Sequence, residues 1–442
     1  MQTGKYYIFT YGCQMNVHES EKLAGILQTR GYTQADCPEK ADVLVYNTCC
    51  IRESAEQRAL GNIGNAKPIK KINPNLIVAV CGCMPQQKNV EEMLKKKFPF
   101  INIVFGANNV EFFGEYLDLY LKQKKYQASV LEQTYQSNAK ENTIIRDNNL
   151  SAFVNITYGC NNFCTYCIVP YVRGREQSRP ADEIYAEVKN LIEVGKYKII
   201  TLLGQNVNSY GNDFTENKTT FPQLLEHIAN FKGDFELRFM SSHPKDLSDE
   251  LINVIARNDK ISKAIHLPVQ NGSNKILKLM NRNYTREKYL DTVRKMREKI
   301  PEVTLSTDII VGFPNETEQD FEDTIHLIQE VKYSNAYIFM YSKRKGTVAE
   351  QMDGHLPIEV KRERIHKLLE IQKQITNKHF LGLVGKVQHR VLIEEEKPTQ
   401  YIGKTQCGKT VKMEKTTNLN VGQFIDVKIT DYRNGNLYAE VI

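Results

Sequence analysis

The chain has 442 residues, of which 41% are hydrophobic, and its 59 Lys and Arg against 52 Asp and Glu give a net charge of +7. No apolar run reaches the roughly 18 residues of a membrane helix, and the first residues lack a signal-peptide pattern, so a cytoplasmic protein of two or three domains with no membrane partner is expected. Ten cysteines in such a chain argue for metal or catalysis rather than disulfides, and the basic balance mildly favours a polyanionic partner.

The first segment alternates strand and helix patterns. Lys5 to Thr10 is an apolar run of β-formers. Glu19 to Thr29 has helical spacing, with Leu23, Ile26 and Leu27 on one face and Gly31 past its end. Asp42 to Tyr46 and Leu76 to Val80 read as buried strands, and Pro85 to Phe98 and Asn109 to Lys122 as helices. This order predicts a small parallel sheet covered by helices. Cys13, Cys49 and Cys83 each follow one of its strands, at the edge where open α/β sheets bind ligands. Gly12 and Gly82 precede two of them and let the backbone turn a thiol outward. Cys81 reads as strand interior, Cys37 has no assigned role, and pattern alone does not choose between Cys49 and Cys50.

Residues 126–150 are polar and weakly patterned, a linker or extended crossover. Strand patterns then recur at Ala152 to Thr157, Lys198 to Leu203, Phe235 to Met240, Lys263 to Leu267, Val303 to Ile310 and Ala336 to Tyr341. Helical patterns lie between them, including Asp320 to Glu330 after a capping-box-like Thr317. About six βα units predict a partial parallel barrel with its site at the C-terminal strand ends. Just past the first strand lies Tyr-Gly-Cys-Asn-Asn-Phe-Cys-Thr-Tyr-Cys, which places Cys160, Cys164 and Cys167 within eight residues. A loop this tight can wrap three thiolates around one face of a cubane cluster. It lacks the paired spacing and the fourth ligand of structural zinc. Each triad supplies three thiolates where a closed cluster takes four, so one metal position stays open at each. Beyond about Phe380 the pattern becomes β. Gly385 to Ile393 and Tyr401 to Met413 are strand-like, and Asn434-Gly435 joins the alternating Ile425 to Thr430 segment to Leu437 to Val441 as a hairpin. A small antiparallel barrel is expected.

The C-x-x-x-C-x-x-C spacing is the signature of the radical S-adenosylmethionine (SAM) superfamily, with Tyr166 in its usual aromatic place. Thr-Tyr-Gly-Cys-Gln-Met-Asn at 10–16, Asn-Thr-Cys at 47–49, Gly-Cys at 82–83, Cys-Ile-Val-Pro-Tyr-Val-Arg-Gly-Arg-Glu at 167–176 and Leu-Gly-Gln-Asn-Val-Asn-Ser-Tyr-Gly at 203–211 resemble the methylthiotransferases over essentially the whole chain. The Gln-Met-Asn and Gln-Asn-Val-Asn segments favour the branch that makes 2-methylthio-N(6)-dimethylallyladenosine in tRNA over the threonylcarbamoyl-adenosine and ribosomal-protein branches.

The resemblance implies an α/β chain in three parts: 4–122, an N-terminal domain with an auxiliary 4Fe-4S cluster on Cys13, Cys49 and Cys83; 146–376, a radical SAM core with a 4Fe-4S cluster on Cys160, Cys164 and Cys167; and 379–442, a TRAM β-barrel that binds RNA. It settles Cys49 over Cys50 and leaves Cys50 as a possible competitor. It also implies two SAM molecules per turnover: one methylates sulfur carried by the auxiliary cluster, and the other yields the radical that activates carbon 2 of isopentenyl-adenosine beside the anticodon. That base must leave the anticodon-loop stack to enter the barrel. Tyr166, Gln205, Asn206, Ser242, Gln270 and Asp308 are the candidates for SAM contact, with Ser241, His243 and Pro268 beside them. Val169, Val207 and Phe313 are the candidate prenyl contacts. Arg175, Lys404, Lys409 and Lys412 are the candidate RNA contacts, and Arg173 and Arg179 also flank the cluster loop. The expected partners are a tRNA anticodon stem-loop and a reductant of the flavodoxin or ferredoxin kind, with the chain a monomer. Two other classes compete, an electron-transfer iron–sulfur protein and a non-catalytic RNA-binding module.

Overall fold

The computed structural model describes residues 4–51, 53–129, 144–146, 150–216, 218–415 and 418–442. Most of the stretch read as a linker lies outside them. The first unit runs β1 (Gly4–Thr10), α1 (Gln14–Thr29), β2 (Tyr32–Gln34), β3 (Val43–Thr48), α2 (Glu53–Ile72), β4 (Ile77–Gly82), α3 (Val90–Lys97), β5 (Ile103–Phe105), α4 (Phe113–Gln123) and β6 (Gln127–Ser129). Its six strands pair in parallel in the order β2-β1-β3-β4-β5-β6. Every residue of β3 and β4 is buried, because helices cover both faces of the sheet. Val43, Val45, Ala79 and Cys81 pack with Leu23, Leu27, Phe113 and Leu117 on one face. Leu44, Tyr46, Val78 and Val80 pack with Ile63, Ala66 and Leu94 on the other. Cys81 is thus a core residue, as its place in the apolar run predicts.

Four helices differ from the sequence reading: α2 is absent from it, α4 begins only at Phe113 after a 3-10 turn over Ala107–Phe112, and α1 and α3 start elsewhere. α1 begins at Gln14, with Cys13 as its N-cap residue, so the thiol stands at a helix N-terminus and not in a free loop. In the span read as a helix from Pro85 to Phe98, residues 85–89 fold as turns before α3 begins at Val90. Asn89 in the left-handed region supplies the break.

The second unit contains β7 (Ser151–Asn155), β8 (Thr157–Tyr158), α5 (Val169–Arg173), β9 (Gln177–Ser178), α6 (Ala181–Val194), β10 (Ile199–Leu203), α7 (Phe221–Ala229), β11 (Glu236–Phe239), α8 (Asp249–Arg257), β12 (Ala264–His266), α9 (Asn274–Leu279), α10 (Arg286–Lys299), β13 (Thr304–Val311), α11 (Glu318–Val331) and β14 (Asn335–Met340). The parallel triplets β7-β10-β11 and β12-β13-β14 are joined by a parallel bridge between Leu237 and Ile261. Among the described residues β14 does not return to β7, so the barrel is an open arc. Thr317 and Asp320 exchange capping bonds at the start of α11, as the capping-box pattern predicts.

α12 (Ile358–Leu381) ties the arc to the third unit: Leu368 joins the arc's core and Phe380 the next one. There β15 (Val387–Glu396), β16 (Gln400–Lys404), β17 (Thr410–Glu414), β18 (Phe424–Arg433) and β19 (Asn436–Val441) close into a barrel. The hairpin turns on Asn434 and Gly435, both at positive φ, as a two-residue turn of this type requires. Four pairings are antiparallel, and β17 with β19 is parallel.

Candidate functional site

Glycine brings the dispersed cysteines together. A Cβ on Gly12 (φ +111°) would lie 2.5 Å from Cβ of Cys49, and one on Gly82 (φ +95°) would lie 2.3 Å from the carbonyl oxygen of Thr48. The loops after β1 and β4 therefore rest directly on the loop after β3. The Cys83 N–H donates to that same Thr48 oxygen at 2.9 Å, and Asn16 donates to it at 3.0 Å. The Cys13 thiol donates to Asn16 Oδ1 at 3.4 Å.

Cys50 is buried in an apolar cluster with Cys83, Ala107, Ile168 and Val172. The neighbouring Cys50 thiol, helped by Arg173, pulls the Cys83 thiol down to about 7, while Cys83 and burial push Cys50 up. Burial pushes Cys13 up. Arg173 reaches the same place from α5: its Nε donates to Cys83 Sγ at 3.2 Å, and its terminal nitrogens pair with Glu19 at 2.7 Å and 3.3 Å.

The compact triad hangs on a second folded loop. Gly159 (φ +67°) backs onto the returning strand, where a Cβ would meet the Arg175 carbonyl at 2.0 Å. The Cys160 N–H donates to Gly174 O at 3.1 Å, and the Cys167 N–H to Cys164 O at 2.9 Å. Asn281 donates to the carbonyls of Asn162 and Phe163, both at 3.1 Å. Arg282 donates from Nη1 to Cys164 Sγ at 3.5 Å and from Nη2 to Pro268 O at 2.7 Å. Burial pushes Cys160 up to about 11 and Cys167 up to about 12, so a metal entering here displaces thiol protons.

The three thiols open onto a cavity of about 450 Å³ at the C-terminal ends of the arc strands. Tyr166, Gln205, Ser242, Gln270 and Asp308 line it, as do Val169, His243, His266, Arg282 and Tyr337. Asn206 does not; its amide donates to Asp246 at 2.7 Å instead. Val207 and Phe313 are fully buried core residues. Gln14, next to Cys13, also lines this cavity, and Cys13 and Met240 of its wall both pack against the cluster of Met15, Tyr158 and Leu203. The first unit thus reaches the cavity of the compact triad through Gln14, while Cys13, Cys49 and Cys83 stand behind that wall. A larger cavity, about 930 Å³, lies between α1 and α6 and holds no cysteine.

Arg175 stacks on Phe163 at 4.4 Å, at the lip of the cluster loop. In the third unit Lys412 and Arg433 flank the Tyr438 ring at 5.8 Å and 4.3 Å. Lys409 lies over Phe380 and Tyr432, in the seam with α12. Lys404 lies half-buried on β16.

The donors fit iron–sulfur clusters. Both sets are all thiol, and glycines without room for a Cβ hold their loops. Among the described residues no three His, Cys, Asp or Glu side chains converge on a single-ion position; a cubane instead takes each thiolate on a different iron. The cavity also fits a polar ligand. Ser242 Oγ and His243 Nε2 are buried on its wall without a partner. Burial pushes His243 down to about 2 and keeps it neutral, and its Nδ1 accepts from the Lys245 N–H at 3.2 Å. Nε2 therefore carries the proton and presents it to the cavity. Glu19, Cys50 as a partner of Cys83, and Arg282 were not assigned to the site from sequence.

Residues 154–328 match the radical SAM superfamily, 5–106 the uncharacterized protein family UPF0004, and 383–442 the TRAM domain. The open arc resembles solved radical SAM proteins. The methyltransferase TsrM from Kitasatospora setae, with cobalamin and a [4Fe-4S] cluster bound, gives a TM-score of 0.58 at 12% identity over 79% of this chain and 77% of that one. The cobalamin-dependent radical enzyme OxsB gives 0.51 at 10% identity over 84% of this chain and 56% of that one. Fold and cysteine loops define a radical SAM protein with an added TRAM barrel. A tRNA-2-methylthio-N(6)-dimethylallyladenosine synthase from Clostridium botulinum (strain Langeland) is 50% identical, covering 99% of this chain and 97% of its own length. One from Thermoanaerobacter pseudethanolicus is 49% identical over 99% and 92%. The chain belongs to this synthase family.

Proposed function

We infer that this chain replaces the hydrogen on carbon 2 of N(6)-isopentenyladenosine in tRNA with a methylthio group. The observation that carries the reading is the cavity onto which Cys160, Cys164 and Cys167 open and whose wall includes Gln14, the neighbour of Cys13. When bound, SAM and two 4Fe-4S clusters supply the radical and the sulfur that an unactivated aromatic C–H bond demands and acid–base groups cannot provide.

The protein's own residues do the rest. Cys160, Cys164 and Cys167 would hold one cluster, and Cys13, Cys49 and Cys83 the other. Cys49 suits this role better than Cys50, because Gly12 packs against its sulfur. Arg282 and the His243 Nε2–H offer donors to an anionic or polar ligand in the cavity. Tyr166, Gln205, Ser242, Gln270 and Asp308 supply its polar wall, and Val169 an apolar patch for a prenyl group. Tyr337 is half exposed on β14, at the open side of the arc, where a base leaving its stack would enter. Lys412 and Arg433 around Tyr438, with Arg175 on Phe163, pair cations with rings as single-stranded RNA contacts do.

We place the protein in the cytoplasm as a monomer, supplied with electrons by a flavodoxin- or ferredoxin-like protein. Among the described residues no helix is long and apolar enough to cross a membrane. The test is whether purified protein with SAM and a reductant modifies prenylated tRNA; modification of threonylcarbamoyl-adenosine instead would overturn the substrate assignment.

A further inference from the structure

Each cysteine triad has one buried arginine donating to a thiol, but the two arginines differ in charge compensation. Arg173, 3% exposed, is forked onto Glu19, 5% exposed, and also reaches Asn16 Oδ1 at 3.4 Å. Arg282 donates to Cys164, to a carbonyl and to the Tyr284 hydroxyl. Among the described residues no carboxylate pairs with it. One site therefore carries an ion pair of no net charge, and the other an uncompensated cation.

Adding an electron to a cluster adds a negative charge. Nearby positive charge and N–H bonds to sulfur favour the reduced form and raise the reduction potential. Inside the protein such charges are little screened by salt. Arg173 alone would make the auxiliary cluster easier to reduce, and Glu19 cancels that effect. Arg282 has no such counterweight.

Resting on the cluster assignment above, we propose that Glu19 is a positioning residue that keeps the auxiliary cluster the harder of the two to reduce. A single electron from an external one-electron reductant then settles on the compact cluster, beside the SAM cavity, while the auxiliary cluster stays oxidised. Arg173 belongs to the helix that follows the compact loop, so the same contact fixes one cluster's surroundings against the other's.

The experiment uses the full chain with Cys160, Cys164 and Cys167 all changed to Ala, which leaves only the auxiliary site. Electron paramagnetic resonance follows its reduction by dithionite with redox mediators. Glu19→Gln should raise the reduced-to-oxidised ratio at fixed potential by about tenfold, a shift of about 59 mV for a one-electron couple. Arg173→Gln should shift it the opposite way, and the double variant should fall between. Glu19→Asp, which keeps the charge, should match the parent. In the complementary chain with Cys13, Cys49 and Cys83 changed to Ala, Glu19→Gln should leave the compact cluster's potential where it was, and Arg282→Gln should lower it. Shifts of the same sign in both single variants, no shift in either, or a Glu19→Asp shift equal to that of Gln overturns the proposal. The parent protein's iron content tests the prior reading separately. About four irons per chain in the auxiliary-only protein supports the cluster; a chain without iron overturns that assignment, and the proposal with it.

Discussion

The backbone of Gly82 lies so close to Thr48 that a Cβ would sit 2.3 Å from the Thr48 carbonyl oxygen. That approach seats Cys83 against the loop carrying Cys49. Gly82→Ala should cost at least about 1–3 kcal/mol from the positive φ alone, with the collision added, and should strip auxiliary iron. Gly61→Ala is the control: it has open space on α2 and should stabilise by about 0.4–1 kcal/mol. Thermal midpoints and iron counts of the two proteins check this.

Cys164→Ala should abolish SAM cleavage, because two thiolates would hold the compact cluster poorly. Cys13→Ala or Cys83→Ala should leave 5′-deoxyadenosine production detectable while stopping methylthiolation. Cys81→Ala and Cys37→Ala should keep both clusters, since Cys81 is sheet core and Cys37 lies apart. Full auxiliary iron in Cys83→Ala, with its loss in Cys81→Ala, would reverse the ligand assignment.

The third unit should carry salt-dependent tRNA affinity. Removing residues 378–442 should weaken binding and flatten the salt dependence. Lys412→Ala should lower the salt slope by about one counterion. Lys409→Ala should act differently. Its ammonium lies 4.3 Å from the Phe380 ring centroid, so the variant should lose about 0.5–1 kcal/mol of stability and little slope. Titrations at several salt concentrations, beside urea melts, separate the two lysines.

Burial holds His18 and His243 neutral, each with its pKa pushed below the ordinary value. The unfolded chain takes up these protons as pH drops below about 6.5, and the folded chain does not. Their contribution is therefore fully present above that pH and is lost as pH falls, by about 1.4 kcal/mol per pH unit per histidine. His243→Gln should make stability less steep between about pH 6 and pH 5 by that amount. An unchanged slope in urea melts would show that His243 binds its proton in the fold.

The strands that position both sites were legible because they are short apolar runs ended by Gly-Cys or polar turns. Cys13, Cys49 and Cys83 could be placed at strand ends for that reason. α2 gave no such signal: its buried face is mostly alanine, Ala55, Ala59 and Ala66 with Ile63, and Gly61, Gly64 and Pro68 interrupt it. The three-residue strands β2, β5 and β6 are too short to show alternation. The Arg173–Glu19 pair was illegible for a different reason. Its partners are 154 positions apart, and nothing in the charge pattern says which basic residue enters the interface. Asn206 reads as a cavity residue from its strand-end position, but the turn that follows directs its amide to Asp246.

The most direct measurement is mass spectrometry of nucleosides from one tRNA, prepared with and without the isopentenyl group, after incubation with the reconstituted chain, SAM and a reductant. Burying a five-carbon tail at about 0.8 kcal/mol per CH₂-sized group supports tens- to hundreds-fold selectivity. The account predicts 2-methylthio-N(6)-isopentenyladenosine from the prenylated tRNA and little or no product from the other. Equal yields from both, or product only from a tRNA carrying threonylcarbamoyl-adenosine, would contradict it.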